Sequence, residues 1–197
     1  SGDDNEERFW ENVDLRTLDL SLNEIEVLPE SLSELHALQK VMCRNNRLTS
    51  VPLALGQLAH LVTLDLSHNR LGPGSLPQGF GAGLEQLAEL RLEGNALETL
   101  PDAICGGEAS SFSGARRLVL LHAPNNRLKC LPKGLGNLGA SLSVLDVSHN
   151  ALQALPESIG NLKGLTSLLA HHNQIDRSPS LLALAGLQNL TVYDLRE

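Results

Sequence analysis

The side chains in this sequence that are best suited to chemistry are four histidines and a nearby aspartate. They are His122, His149, His171, His172 and Asp146. Histidine and aspartate are zinc ligands, so the cluster invites a metal-site interpretation. The tripeptide Ser-His-Asn, however, also occurs at His68, away from the cluster, which favours a structural role. We therefore predict no metal site and no cofactor. The alternative is a contact with a partner protein that is sensitive to protonation, because histidine titrates at about pH 6.5.

The sequence contains none of the common catalytic motifs. It has no Gly-x-x-x-x-Gly-Lys-Ser/Thr loop, no His-Glu-x-x-His pair and no Gly-x-Ser-x-Gly elbow. Three cysteines, Cys43, Cys105 and Cys130, are far apart in the chain, which predicts neither a disulfide framework nor zinc spacing. Cys43 takes a core position in a strand, where we expect it to be buried and unreactive. We therefore predict that the chain is not an enzyme and that it works in the cytoplasm.

Composition excludes two classes of partner. The 197 residues carry a formal net charge of −8, which argues against nucleic acid and against an anionic membrane surface. No apolar run approaches the roughly 20 residues of a membrane span, so we expect no membrane insertion. Aromatic residues make up only 3% of the chain, and a core must therefore be aliphatic.

A repeated pattern positions these residues. The first copy, Leu15–Ile25, reads Leu-x-x-Leu-x-Leu-x-x-Asn-x-Ile, and seven copies are complete. Their asparagines are Asn23, Asn46, Asn69, Asn95, Asn126, Asn150 and Asn173, separated by 23, 23, 26, 31, 24 and 23 residues. Leucines two apart predict a short strand with one inward face, and stacked copies can bury that face. We expect each asparagine to be buried and to satisfy backbone groups at the turn.

The second half of the pattern reads Leu-Pro-x-x-Leu-Gly-x-Leu, as in Leu131–Leu138 and Leu155–Leu162. Proline fixes φ where the chain bends and is excluded from central strands. This half therefore predicts a convex side made of irregular, 3₁₀ or short helical segments.

The chain divides into two parts. Residues 1–14 form an acidic segment whose Phe9, Trp10 and Val13 would cap the first coil, with an exposed docking segment as the alternative. Residues 15–197 hold seven full repeats and a truncated eighth, and we expect the native protein to continue beyond Glu197. The insertion at 105–117 is rich in Gly and Ser and predicts a mobile loop. There are two alternatives for this insertion. It would serve as a partner-binding or phosphorylation site, or its Phe112 would fold back and fill the core.

These repeats resemble the leucine-rich repeat superfamily over residues 15–197. The 23-residue length and the Leu-Pro-x-x-Leu-Gly-x-Leu half are similar to the intracellular class that contains Scribble, Erbin, the Ras-suppressor type and the plant Ras-group proteins. The resemblance implies a curved, right-handed α/β solenoid with a short parallel sheet on its concave face. It also implies a scaffold or adaptor role without catalytic residues. The irregular stretches at 72–84 and 105–117 depart from the class pattern.

Stacked repeats place equivalent residues in columns about 4.8 Å apart on the concave face. We predict a partner-binding surface there, formed by Asp19, Lys40, Met42, Arg44, Asp65, Glu89, Arg91, Leu120, His122, Val144, Asp146, Leu169 and Val192. Four apolar members fall in repeats five to eight, namely Leu120, Val144, Leu169 and Val192. Contiguous apolar surface usually marks an interaction site. There is an alternative for each group. The charged residues would only form a solvated face, and the apolar row would only cover neighbouring backbone without binding a partner.

The predicted function is a non-catalytic scaffold or adaptor that binds another protein. The alternative is a sensor or substrate-recruiting arm of a larger GTPase, phosphatase or ubiquitin ligase. An extracellular receptor is a third interpretation, allowed by the sequon Asn189-Leu190-Thr191 but opposed by the lack of capping cysteines. We expect a monomer, or a weak dimer through the strand edge of the last coil.

Overall fold

The computed structural model describes residues 14–106, 114–176 and 180–196. In these residues, each repeat contributes one three-residue strand to a single parallel sheet whose strands follow chain order. The strands are β1 (Thr17–Asp19), β2 (Lys40–Met42), β3 (Thr63–Asp65), β4 (Glu89–Arg91), β5 (Leu120–His122), β6 (Val144–Asp146), β7 (Ser167–Leu169) and β8 (Val192–Asp194). This is the leucine-rich repeat solenoid with a parallel sheet that the sequence predicts.

The alternation of side chains along each strand separates core from surface. In β3 the central Leu64 is fully buried, whereas Thr63 and Asp65 on either side of it are partly exposed. The central residues of β2 to β7 are all fully buried and pair with one another in the sheet. One continuous aliphatic core therefore runs along the stack, as expected for coils that cannot bury their leucines alone.

The repeated asparagines connect neighbouring coils after each strand. Nδ2 of Asn69 donates to the carbonyl oxygens of Leu66 in its own coil and Cys43 in the preceding coil, at 3.0 and 2.9 Å. Its Oδ1 accepts the backbone N–H of Leu48 at 3.0 Å. The expectation that all seven are buried is wrong: Asn46 and Asn126 are buried, Asn23 is exposed, and the others are half-buried.

The residue that precedes each of these asparagines has a left-handed backbone conformation. This position has φ between +53° and +66° in all seven repeats, at Leu22, Asn45, His68, Gly94, Asn125, His149 and His172. Glycine and asparagine tolerate this region best, and histidine is also enriched in it. The Ser-His-Asn tripeptides therefore satisfy a backbone requirement.

The convex side consists mainly of 3₁₀ turns. They span Glu30–Glu34, Leu53–Gln57, Asp102–Cys105, Lys133–Leu138, Glu157–Asn161 and Leu184–Gly186, and one short helix, α1, spans Ser180–Ala183. The first five each follow a proline, and four of these prolines have an extended backbone. In the irregular third repeat, Phe80 is fully buried on this side and fills the core. The proposed cap formed by Phe9, Trp10 and Val13 and the alternatives for Phe112 lie outside the described residues.

Candidate protein-binding face

The face of the sheet opposite the core, called the concave face here, presents two ordered columns of side chains. The first residues of successive strands pair in register from Thr17 to Val192, and the third residues pair from Asp19 to Asp194. This is the register that the sequence predicts. Each predicted binding residue of the strands therefore lies in one of two adjacent lines.

Charged side chains occupy the first half of the concave face. Lys40 and Arg44 are exposed, and Met42 between them is partly exposed. Glu89 and Arg91 form an ion pair with 3.2 Å between Oε2 and Nη2, and both side chains are about two-fifths exposed. An ion pair so exposed contributes little to stability. These charges are thus available to contact a partner.

The strand-ending aspartates have a structural contact. Oδ1 of Asp19, Asp65 and Asp146 accepts the backbone N–H of the residue two positions later, at 2.9, 2.9 and 3.0 Å. Oδ1 of Asp146 also accepts the Ser148 hydroxyl at 2.7 Å. Such contacts close a turn as a strand ends. Asp146 is only 8% exposed, so most of this predicted binding residue is directed into its own turn.

Apolar side chains occupy the second half. Leu120 and Val144 pair directly in the first column, and both are half-buried. Leu169 lies in the second column between Asp146 and Asp194. Val192, at the last strand, is 49% exposed. Ser167 separates Val144 from Val192 in the first column, so these residues form a narrow, interrupted apolar stripe rather than a broad patch.

His122 lies between two carboxylates from the coils on either side of it. Its Nε2 is 3.3 Å from Oε2 of Glu93, and its Nδ1 is 3.4 Å from Oδ2 of Asp146. His68 also approaches Glu93, at 3.8 Å. Glu93 is not among the binding residues predicted from the sequence. A line of alternating acids and imidazoles thus crosses the centre of the face.

The remaining three histidines of the predicted cluster, His149, His171 and His172, form a separate group after β6 and β7. The rings of His149 and His172 stack with centroids 4.2 Å apart and planes 13° apart. His171 meets both rings edge-on, with centroids 5.2 Å away in each case. One nitrogen from each ring lies within 4.8 Å of the others. The sequence grouped all four histidines with Asp146, whereas the structure places Asp146 with His122.

An apolar groove lies beside the last described strand, β8. Tyr193 takes the core position of β8 but is 54% exposed, and it lines a groove with Ile175, Val192 and Leu195. Beside the groove, the Arg196 guanidinium donates to the Asp194 carboxylate and holds the pKa of that carboxyl below its usual range.

Over the ranges that the structure describes, no helix has the length and apolar character needed to cross a membrane.

The thiols differ in accessibility. Cys43 and Cys105 are buried, and burial raises the pKa of each to about 12. Cys130 is exposed. The expectation that Cys43 is buried is confirmed, and neither buried thiol has the lowered pKa of a nucleophile.

Comparison with known proteins identifies the repeats. Models of the leucine-rich repeat match residues 14–71 and 141–162. Mouse leucine-rich repeat and calponin homology domain-containing protein 1 is 34% identical over 134 residues, which cover 66% of this chain and 17% of that protein. Rabbit fibromodulin is 33% identical over 115 residues, covering 58% of this chain and 70% of the rabbit sequence. The chain thus spans less than a fifth of the mouse relative.

A solved structure with the same architecture is a plant peptide hormone receptor, RGFR1, in complex with RGF2. It superposes with a TM-score of 0.79 at 27% identity, covering 93% of this chain and 28% of the receptor chain. Stacked repeats of this kind typically present extended binding surfaces rather than catalytic centres. The matched repeats, the parallel sheet and the buried leucines together place this chain in the leucine-rich repeat superfamily, as a protein-interaction repeat domain.

Proposed function

We propose that this solenoid is a non-catalytic scaffold or adaptor that binds another protein on its concave face. The observation that carries the proposal is the unbroken register of the two columns from Asp19 to Asp194. Neighbouring coils hydrogen-bond along the whole described sheet, so we expect its surface to change little in shape when a partner binds. A preorganised surface loses little conformational entropy when a partner binds.

The two halves of the face suit a partner with two kinds of surface. Lys40, Arg44 and Arg91 offer cations in the first half, where Glu89 and Glu93 offer acids. Leu120, Val144, Leu169 and Val192 offer an apolar stripe in the second half. We expect charge complementarity to orient the partner and the apolar stripe to slow its dissociation. The plant peptide hormone receptor RGFR1, solved in complex with RGF2, supports the idea that a solenoid of this architecture binds a peptide or protein.

A matched pair of double variants tests the face. Arg91→Glu with Leu169→Glu alters the concave face, and Lys133→Glu with Leu53→Glu makes the same charge changes on the convex side. All four side chains are at least partly exposed, so the fold should survive both pairs. We avoid Asp146, because its burial and its turn contacts would confuse binding with folding.

The measurement is affinity capture from lysate with quantitative mass spectrometry, after circular dichroism has shown equal folding. The proposal expects at least one protein to be captured by the wild type and the convex variant, and to be reduced about tenfold or more with the concave variant. Equal capture by all three proteins would move the binding site away from the concave face. Loss with the convex variant alone would place the site on the 3₁₀ side.

The compartment and the assembly state are part of this proposal. We propose a cytoplasmic protein of the intracellular 23-residue class, which is supported by three free thiols. Fractionation of cells expressing the native protein tests this, and a glycan on Asn189 would contradict it.

We further propose a monomer that dimerises weakly through the groove around Tyr193. Light scattering at rising concentration should show the dimer, and Tyr193→Glu should remove it.

A further inference from the structure

The three histidines at the ends of β6 and β7 have positions fixed by the backbone. His149 and His172 are equivalent residues of adjacent coils, and both have the left-handed conformation, with φ of 53° and 54°. The N–H of His149 donates to the carbonyl oxygen of His171 at 2.9 Å. Adjacent coils are separated by about one strand spacing, so the two equivalent rings must stack. His171, one residue earlier in the later coil, adds a third ring to the pair.

Their ring nitrogens are close enough to bind a single ion. One nitrogen from each side chain lies within 4.8 Å of the other two. In a tetrahedral zinc site each nitrogen is about 2.0–2.1 Å from the ion, so nitrogens lie roughly 3.4 Å apart. The side chains of His149 and His172 are exposed, so the proposed site requires them to rotate by the roughly 1–1.5 Å that separates these two spacings. Neutral imidazole suits zinc, copper and nickel.

Asp194 lies close to the position of the outer contact that metal-binding histidines usually have. Nδ1 of His171 is buried and lies 3.6 Å from Oδ2 of Asp194, just beyond hydrogen-bonding distance. The carboxylate is itself held by Arg196 at 2.7 Å, which keeps it ionised and in place. A carboxylate on Nδ1 fixes the ring and leaves Nε2 for the metal. A small movement of the His171 ring would complete this hydrogen bond.

We propose that His149, His171 and His172 form a site for one divalent transition-metal ion, with Zn²⁺ as the ion of this class to be tested. Three imidazoles leave a fourth position for water or for a side chain of a bound protein. The ion would join coils six and seven next to the apolar half of the concave face. The inference departs from the sequence-based prediction of no metal site, because the sequence does not give the distances between the rings.

His68 provides a comparison within the same chain. It has the same left-handed conformation in the third coil, but the equivalent residues of the adjacent coils are Asn45 and Gly94. Backbone geometry alone therefore explains a histidine at this position. It does not account for a third ring at His171, where three other coils have serine: Ser21, Ser67 and Ser148.

The repeats also supply substitutions that suit the backbone. His149→Asn and His172→Asn introduce the residue found at the equivalent Asn45 and Asn125, and His171→Ser introduces the residue found at Ser148. Each change removes one ring nitrogen donor while keeping a residue that the backbone conformation accepts. His68→Asn is the matched control, since it makes the same change at a left-handed histidine that lies outside the three-histidine group. Asp194→Asn tests the outer contact.

Isothermal titration of tag-free protein with Zn²⁺ is the test. The proposal expects one saturable site per chain, with an affinity that falls at least about tenfold in each of the three ring variants. Asp194→Asn should also weaken binding, by about tenfold. His68→Asn should bind as the wild type does. The proposal is wrong if binding is not saturable, if His171→Ser retains full affinity, or if His68→Asn loses as much as the others.

Nuclear magnetic resonance gives a second readout that a general effect on stability would not produce. In ¹H–¹⁵N spectra of the imidazole rings, Zn²⁺ should shift the nitrogens of His149, His171 and His172 together, up to one equivalent. The rings of His36 and His60, which are exposed in other coils, should remain unchanged. Equal shifts in all of these rings would indicate nonspecific binding to surface histidines and would overturn the proposal.

Discussion

The side-chain oxygen of Asn126 accepts the backbone N–H of Leu97, which belongs to the preceding coil, at 3.1 Å. The Nδ2 of the same amide donates to the carbonyl oxygen of Leu92 in that coil at 2.9 Å. It also lies within hydrogen-bonding distance of the carbonyls of Ala123 and Pro124 in its own turn. A single buried side chain thus holds two coils together and closes the turn that follows β5.

Replacing Asn126 with alanine should destabilise the protein strongly. The variant leaves the buried N–H of Leu97 without its partner, at about 1–3 kcal/mol, whereas the carbonyl of Leu92 keeps its hydrogen bond from Nδ2 of Asn95. We expect the free energy of unfolding to fall by about 1–3 kcal/mol in urea denaturation followed by circular dichroism. Asn23→Ala is the control, because Asn23 is exposed, and it should lower stability by less than about 1 kcal/mol. Equal losses in the two variants would contradict this account of the asparagine ladder.

Leu22 is the least suitable residue for its backbone conformation. It has φ of 59°, where an L-residue with a Cβ is strained by roughly 1–2 kcal/mol unless it is Asn, Asp or Gly. Its side chain is 78% exposed, so little apolar burial would be lost on substitution. We expect Leu22→Asn to raise the free energy of unfolding by about 1 kcal/mol.

The control for Leu22→Asn is Val27→Asn, which replaces another exposed apolar residue outside the left-handed region. This change should alter stability by no more than about 0.5 kcal/mol. Denaturant midpoints of both variants, measured beside the wild type, check the prediction. An unchanged midpoint for Leu22→Asn would show that the strain at Leu22 is relieved in another way.

The sequence was sufficient for the strands and for their register. Alternating leucines define which residues of β3 point inward, and the repeat length aligns Asp65 with Met42 and Arg91. The sequence was not sufficient to predict the burial and the hydrogen bonds of each side chain. Asp146 faces the predicted binding side, yet Ser148 draws its carboxylate into the turn, which depends on a rotamer that no repeat pattern specifies. The separation of His122, which lies beside Asp146, from His149 and the two histidines after β7 likewise depends on side-chain orientation.

Gly136 is required for the close approach of two coils on the convex side. A Cβ added here would collide with the backbone carbonyl oxygen of Ser158 in the next coil and lie 3.1 Å from Cβ of Asn161. Since the obstacle is backbone, relief needs a shift of the coil, which costs about 1–3 kcal/mol. Gly136→Ala should therefore lower the thermal midpoint by several degrees. Gly72→Ala, which enters open space, should leave it nearly unchanged, and an equal drop in both would refute the packing argument.

Thiol labelling should separate one cysteine from the other two. Cys130 is exposed and should react rapidly with a disulfide reagent in the native protein. Cys43 and Cys105 are buried, and their pKa values of about 12 keep them protonated, so they should react only when the protein unfolds. Their thiolate forms only as pH rises towards 12, and raising the pH from 7 to about 9 should therefore expose no further thiol. Cys130→Ser should abolish the rapid phase and leave the slow phase intact. Two or three rapid thiols in the native wild type would mean that the coils open locally on the timescale of the reaction.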